Sequence, residues 1–332
     1  MSRANKLIIQ IPCFNEAATL GVTLAALPRE VEGFSRVEWM VIDDGCSDDT
    51  VSVALQHGVD HVVRLEHNQG LARAFAAGLE AAVRAGADVV VNTDADNQYC
   101  ADDIPKLTRP ILAGSADLVI GARPIMATEH FSQTKKALQL LGSMVVRVAS
   151  ATTVVDAPSG FRAFSRKAAQ SLHVHGDYSY TLETIIAAGT KRMAVTSVPI
   201  RTNPDLRPSR LVKSLPQYVL RSAATIVRSF ATYRPLQFFV GIGCVALFLG
   251  LGLGLRYVHL VAIGEGAGHI QSVILAALLT GMGALIALIG IVADLIAVNR
   301  RLLEKIIANQ QVEAQPAPPQ VSSKRHASAP AA

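Results

Sequence analysis

The sequence predicts an α/β domain on a mainly parallel sheet, followed by a basic juxtamembrane segment and two membrane-spanning helices. Three observations carry this. Short apolar runs alternate with helical patterns through the first 200 residues, acidic motifs follow several of those runs, and two long uncharged apolar stretches lie near the end. Composition agrees. Half of the 332 residues are hydrophobic and 17% are charged, and the mean hydropathy is +0.33. Such a chain is neither globally disordered nor purely soluble.

Strands are predicted at 7–11, 37–42, 62–65, 88–92 and 117–120. A helix is expected over 72–85, where Ala76, Leu79 and Val83 share one face, and another over 136–149. Their alternation implies covered parallel strands with a ligand crevice beyond their carboxyl ends. The chain opens with only a six-residue, mostly apolar run at 7–12, so no secretory signal is read. Residues 1–200 are therefore expected to form a cytosolic domain. Cys13, Cys46, Cys100 and Cys244 lack close metal-ligand spacing, as expected of reduced thiols.

Residues 201–235 form a basic segment in which Leu211, Leu215, Val219, Ile226 and Phe230 are interspersed, a pattern suited to interfacial helices interrupted at Pro208 and Pro216. Residues 236–298 hold the two spans, twenty uncharged residues at 236–255 and twenty-four at 270–293. At about 1.5 Å per residue, each reaches across roughly 30 Å of hydrocarbon. Arg201, Arg207, Arg210, Lys213, Arg221, Arg228 and Arg234 precede the first span, and Arg300, Arg301 and Lys305 follow the second. Both ends are thus expected to be cytosolic, with 256–269 a short loop on the far side of an inner or plasma membrane. Residues 299–332 are read as a basic tail, disordered from Gln310. Gly241 and Gly243, 250–254, and Gly281 and Gly283 permit close helix approach. Asp294 is assigned to the headgroup region, not to a proton relay. The net charge of +5 concentrates at this boundary, away from any base-reading motif, which excludes a nucleic-acid partner.

The chemistry gathers at strand ends. Asp94-Ala-Asp96, followed by Asn97 and Gln98, comes directly after the strand at 88–92. Carboxylates so placed suit a hard divalent cation, Mg²⁺ or Mn²⁺, whose other positions diphosphate oxygens fill. Asp96 is the principal ligand, Gln98 a second oxygen donor, and Asp94 either a contributor or an orienter of the sugar nucleotide. Asp43 and Asp44 follow the second strand and fit either a nucleotide pocket or a turn. No GxGxxG follows the first strand, which argues against a dinucleotide dehydrogenase. Arg123 and Arg162 are candidate phosphate-facing catalytic guanidiniums, with structural ion pairs as the alternative. Gly160 permits a tight approach. Arg201, Arg207, Ser209 and Arg210 are placed to receive a lipid phosphate or simply to set topology. Tyr178, Tyr180 and Glu183 are candidates for the border of a sugar pocket.

Ile11-Pro-Cys-Phe-Asn-Glu16, Val41-Ile-Asp-Asp-Gly-Cys-Ser-Asp48, Asn68-Gln-Gly70, Asp94-Ala-Asp-Asn-Gln98 and Ser159-Gly-Phe-Arg162 occur in that order. In this the chain resembles the family 2 glycosyltransferases of GT-A fold, and among them the polyprenyl-phosphate hexose synthases of the dolichyl-phosphate mannose and glucose type. The resemblance extends over 7–301. It implies that Pro12, Asn15, Glu16 and Asp44 line the nucleotide site, supported by Asp43, and that Asp94, Asp96 and Gln98 form the diphosphate and metal site. It further implies a nucleotide diphosphate sugar donor, a polyprenyl phosphate acceptor met from the side of Arg201, Ser209 and Arg210, and one inverting displacement. Membrane lipids are expected partners, and the resemblance also admits a homo-oligomer. Cys46 replaces the usual Ser and Asn97 a usual aliphatic residue; Cys46 is read as a packing residue. Competing readings are a processive polysaccharide synthase, disfavoured because no QxxRW motif occurs, and an inactive nucleotide-sugar-binding membrane scaffold.

Overall fold

A computed structural model describes residues 5–124, 142–147, 150–172, 174, 180–204, 206, 220, 223–224, 227–228 and 230–313. Seven strands form one sheet: β1 (Lys6–Cys13), β2 (Arg36–Asp43), β3 (His61–Arg64), β4 (Val89–Asn92), β5 (Leu118–Ala122), β6 (Arg162–Ser165) and β7 (Val195–Pro199). Their order is β3-β2-β1-β4-β6-β5-β7, and only β6 runs antiparallel to its neighbours. The central strands are continuous apolar runs because both of their faces are covered. The covering helices are α1 (Ala17–Ala26), α2 (Thr50–Gln56), α3 (Leu71–Arg84), α4 (Ile104–Leu112), α5 (Arg166–Ser171) and α6 (Tyr180–Thr190).

All five predicted strands are present, and β6 and β7 join them. The α3 helix is amphipathic, but its buried face is Ala72, Phe75, Leu79 and Ala82; of the expected face only Leu79 is buried, Ala76 and Val83 being half-buried, while Glu80 and Arg84 pair on the exposed side at 2.5 Å. Of the helix expected over 136–149, residues 142–147 are helical and the rest lies outside the described residues. The chain winds outward from β1 to β3 and then crosses back to β4. This places a topological switch point between β1 and β4, where open α/β sheets bind their ligands.

Two long helices close the chain, α7 (Pro235–Ala262) and α8 (Ile270–Glu313). Each is long and apolar enough to cross a membrane, at a mean hydropathy of 2.4 over 28 residues and 2.5 over the 31 residues Ile270–Arg300. Only 11% and 17% of their most apolar windows are buried, unlike core helices of a soluble domain. Two boundaries move. Helix α7 continues through Arg256 to Ala262, shortening the expected loop to residues 263–269, and α8 runs to Glu313, past the point where the disordered tail was expected at Gln310. Propagating an existing helix costs little once its hydrogen-bond ladder is formed.

The helices meet along a glycine seam. A Cβ on Gly243 would lie 2.7 Å from the Gly283 carbonyl, and one on Gly250 would lie 2.7 Å from the Thr280 nitrogen. Gly241, Gly252 and Gly281 face open space. Where the hairpin meets the α/β domain, the Tyr233 hydroxyl donates to Glu183 Oε1 at 3.3 Å, and the Arg300 guanidinium lies 5.0 Å from the centre of the Tyr233 ring.

Candidate active site

The motifs converge at the carboxyl ends of β1, β2 and β4. Asn15 takes a positive φ of 54° in the turn after β1, and its Oδ1 accepts the Ser47 N–H at 2.8 Å. The Glu16 N–H donates to Thr50 Oγ1 at 2.9 Å, tying the same turn to α2. Pro12 is buried in β1 beneath it. Cys46 packs between the two loops, its Sγ accepting the Asn15 N–H at 3.3 Å. Burial, aided by Asp43, pushes its thiol up to about 11, so at neutral pH it is a packing group and not a nucleophile.

The two aspartates after β2 do different work. Asp43 Oδ1 accepts the Cys46 N–H at 2.7 Å and closes the turn. Asp44 is almost wholly buried, and its two oxygens accept the Gln69 and Gly70 N–H groups at 2.8 and 2.9 Å. It clamps the Asn68-Gln-Gly70 loop to the strand end.

After β4 the chain turns through Asp94 and Asp96, both half-buried. Burial, and then the charge of Asp96, push the Asp94 carboxyl up to about 7, against the opposing pull of Arg123 and a hydrogen bond from Tyr99. Asp96 Oδ1 accepts the Gln98 N–H at 3.2 Å. Asn97 takes a positive φ of 56°, which suits Asn better than a bulky aliphatic residue. Asn203 pins this loop, its Nδ2 donating to the Asn97 carbonyl at 2.9 Å and its N–H to the Gln98 carbonyl at 2.8 Å. Among the described residues, no group of three or more His, Cys, Asp or Glu side chains is placed to hold a metal ion. Asp94 and Asp96 stand two residues apart on this loop beside Gln98, side chains with oxygen atoms of the kind a hard cation takes.

Each of the three arginines is engaged by protein acceptors. Arg162 is completely buried; its Nε donates to the Ser159 carbonyl at 2.7 Å, Nη1 to the Thr181 carbonyl and Thr184 Oγ1 at 2.7 Å each, and Nη2 to the Ala157 carbonyl at 2.6 Å. Its fork is filled by protein acceptors, so it ties the 157–159 loop to α6 and does not face phosphate. Burial draws its pKa down to about 10, still protonated at neutral pH. Arg123 pairs with the buried Asp156 while remaining close enough to Asp94 to act on its charge. Arg201 makes its ion pair with the buried Asp103 at 2.9 Å.

Tyr180 and Glu183 are also buried, and neither borders an open sugar pocket. Tyr180 stacks on Phe75 with centroids 3.9 Å apart. Arg207, Ser209, Arg210 and Tyr178 lie outside the described residues.

Residues 8–172 match the family model described as glycosyl transferase family 2. An uncharacterized glycosyltransferase of Mycobacterium bovis is 32% identical over 198 residues, covering 59% of this chain and 84% of that protein. The chain belongs to glycosyltransferase family 2. A second relative of this family 2 glycosyltransferase, the UDP-N-acetylglucosamine–dolichyl-phosphate N-acetylglucosaminyltransferase of Methanococcus voltae, is 29% identical over 222 residues, covering 60% of this chain and 86% of that one. The fold is also that of glucosyl-3-phosphoglycerate synthase from Mycobacterium tuberculosis, solved with Mn²⁺, UDP-glucose and phosphoglyceric acid. The TM-score is 0.55 at 22% identity, over 68% of this chain and 80% of that one.

Asp156, Tyr99, Asp103 and Asn203 hold the segments around these motifs through Arg123, Gly160, Arg201 and Asn97, and no pattern in the sequence singled them out. Each lies in an irregular segment or a short turn and matches no strand-end pattern. Asp156 stands three residues before the Ser159-Gly-Phe-Arg162 motif, and that proximity is the one signal that marks it in the sequence.

Proposed function

We propose that this enzyme transfers a hexosyl group from a nucleotide diphosphate sugar to polyprenyl phosphate at a membrane surface, with inversion at the anomeric carbon. The observation that carries the reading is the convergence of Asp43, Asp94 and Asp96 at the switch point of a domain joined to an apolar helical hairpin. The dolichyl-phosphate acceptor of the Methanococcus voltae relative supports the lipid half of the reading.

Pro12, Asn15, Glu16 and Asp44 line the nucleotide side, with Asp43 supporting the same pocket by closing the turn at Cys46. Asp96, Gln98 and Asp94 hold Mg²⁺ or Mn²⁺. Their fit rests on two crowded carboxylates whose mutual repulsion helps to raise the Asp94 pKa, a charge arrangement that a hard cation relieves. Bound there, the ion supplies positive charge against the departing diphosphate. The acceptor phosphate is already anionic at neutral pH, so the protein's task is alignment more than proton abstraction. Arg123 adds positive potential beside Asp94. The basic residues 201–234, including Arg201, Ser209 and Arg210, receive the lipid phosphate on the cytosolic side, and both chain ends lie there.

The test is purified full-length protein in lipid, given a panel of nucleotide sugars and polyprenyl phosphate, with mass analysis of the lipid fraction. A lipid gaining one hexosyl mass supports the reading. A ladder of added sugars makes the enzyme processive, and sugar transfer only to a soluble phosphorylated acceptor overturns the lipid assignment.

A further inference from the structure

Three consecutive carbonyls of the loop that carries Asp96 and Gln98 are taken by one residue, although β6 and β5 separate β4 from the strand that residue follows. Asn203 Nδ2 donates to the Asn97 carbonyl at 2.9 Å and to the Tyr99 carbonyl at 3.3 Å, and the Asn203 N–H donates to the Gln98 carbonyl at 2.8 Å. A side-chain amide nitrogen has two protons, so both are spent on this loop. The two segments stay paired beyond it. Tyr99 and Thr202 form an antiparallel bridge, and the Cys100 N–H donates to the Arg201 carbonyl at 3.3 Å.

The support is itself anchored. The Arg201 N–H donates to Oδ2 of the buried Asp103 at 2.6 Å, and its Nη2 donates to Oδ1 at 2.9 Å. The loop needs such a support, because Asn97 holds a φ of 56°, a left-handed conformation that a residue with a Cβ keeps only where its surroundings fix it. Within the loop, Asp96 Oδ1 accepts the Gln98 N–H at 3.2 Å, a bond that draws on the same carboxylate as the proposed cation. The Asn203 bonds use only carbonyls and leave that carboxylate to the ion.

We infer that Asn203 is a positioning residue, whose side-chain amide fixes the backbone from Asn97 to Tyr99 and with it the spacing at which Asp96 and Gln98 meet the cation of the donor. This rests on the donor-site reading above. Asn203 acts through the loop. Outer-shell hydrogen bonds that orient metal ligands work in this way, and their loss typically costs about 10–100-fold in metal affinity.

The test measures Mn²⁺ uptake by electron paramagnetic resonance, using full-length protein in lipid nanodiscs with saturating UDP and, separately, GDP. Four variants are compared with wild type: Asn203→Ala, Asn203→Asp, Thr202→Val and Leu7→Ala. Both Asn203 variants keep the backbone bond to Gln98 and lose the two amide donations, and each is expected to weaken Mn²⁺ binding by about tenfold. Thr202→Val alters the neighbouring side chain and keeps the bridge. Leu7→Ala opens a cavity at the amino end of β1, away from the site, and is expected to lower the thermal midpoint. Both controls are expected to hold Mn²⁺ affinity within about twofold of wild type. Unchanged affinity in either Asn203 variant overturns the inference, as does an equal loss in Thr202→Val or Leu7→Ala. Failure of both Asn203 variants to fold would make the residue structural and overturns it too. If wild type takes up no Mn²⁺ with either nucleotide, the donor-site reading fails and the inference fails with it.

Discussion

Arg123 and Asp156 meet through a two-pronged ion pair, Nε to Oδ2 at 2.7 Å and Nη2 to Oδ1 at 3.0 Å, and the Arg123 N–H also donates to Oδ2 at 3.2 Å. Asp156 is fully buried, so one carboxylate fixes both the backbone and the side chain at the end of β5. Asp156→Asn leaves the arginine without its counter-charge in a largely desolvated place. It is expected to destabilise the domain by about 3–5 kcal/mol, read as a lowered denaturation midpoint.

Asp96→Ala is expected to remove metal-dependent sugar transfer while membrane insertion stays intact, because the loop's backbone bonds to Asn203 do not involve the Asp96 side chain. Chelation of divalent ions in wild type is expected to reproduce the loss, and added Mn²⁺ or Mg²⁺ to reverse it. Normal turnover by correctly folded D96A under matched metal would reject Asp96 as an essential ligand.

Arg162→Met separates a structural from a catalytic arginine. Four carbonyl and hydroxyl acceptors lose a charged donor inside the core, so the expected loss is about 3 kcal/mol or more of stability. Any activity of the surviving folded fraction should show a donor KM within a fewfold of wild type. A folded variant with wild-type stability and a selectively raised KM would return Arg162 to the substrate site.

Asp103 ties α4 to the chain after β7 through Arg201 and Lys106. Burial alone would raise its pKa, but hydrogen bonds from Arg201 and Lys106 outweigh it, and the folded value lies below the ordinary carboxylate value of 3.8. A depressed folded pKa means that the contribution is fully present above 3.8 and is lost as pH falls through the folded value. Asp103→Asn is therefore expected to cost about 1–3 kcal/mol at pH 7. The gap between variant and wild-type thermal midpoints should narrow as the solution is acidified below 3.8, and a gap independent of pH would contradict the assignment.

In the helical hairpin, Gly243→Val and Gly283→Val place side-chain atoms where the partner helix's backbone already lies. Overpacking of this kind costs about 1–3 kcal/mol and should lower the unfolding temperature in detergent. Gly241→Val and Gly281→Val, facing open space, serve as controls. Equal effects at all four positions would argue against the seam.

The amino-acid pattern alone determined the α/β class, five strands, the presence of α3, the two apolar spans and the strand-end placement of Asp43, Asp94 and Asp96. These are local properties: a continuous apolar run, a helical period or an acidic turn is written into neighbouring residues. It missed β6, which opens on the charged Arg162, and β7, which is half-buried from Val195 to Val198, exposed at Pro199 and alternates weakly. Only the tertiary structure decided that Arg162 ties core loops together while Arg123 stays beside Asp94, that Asp44 clamps a loop, and that Gly243 and Gly283 meet while Gly241 and Gly281 do not. Partner choice depends on which distant segment arrives within about 3 Å, the reach of a hydrogen bond. That distance is set by the whole sheet and its covering helices, and no short stretch of sequence contains it.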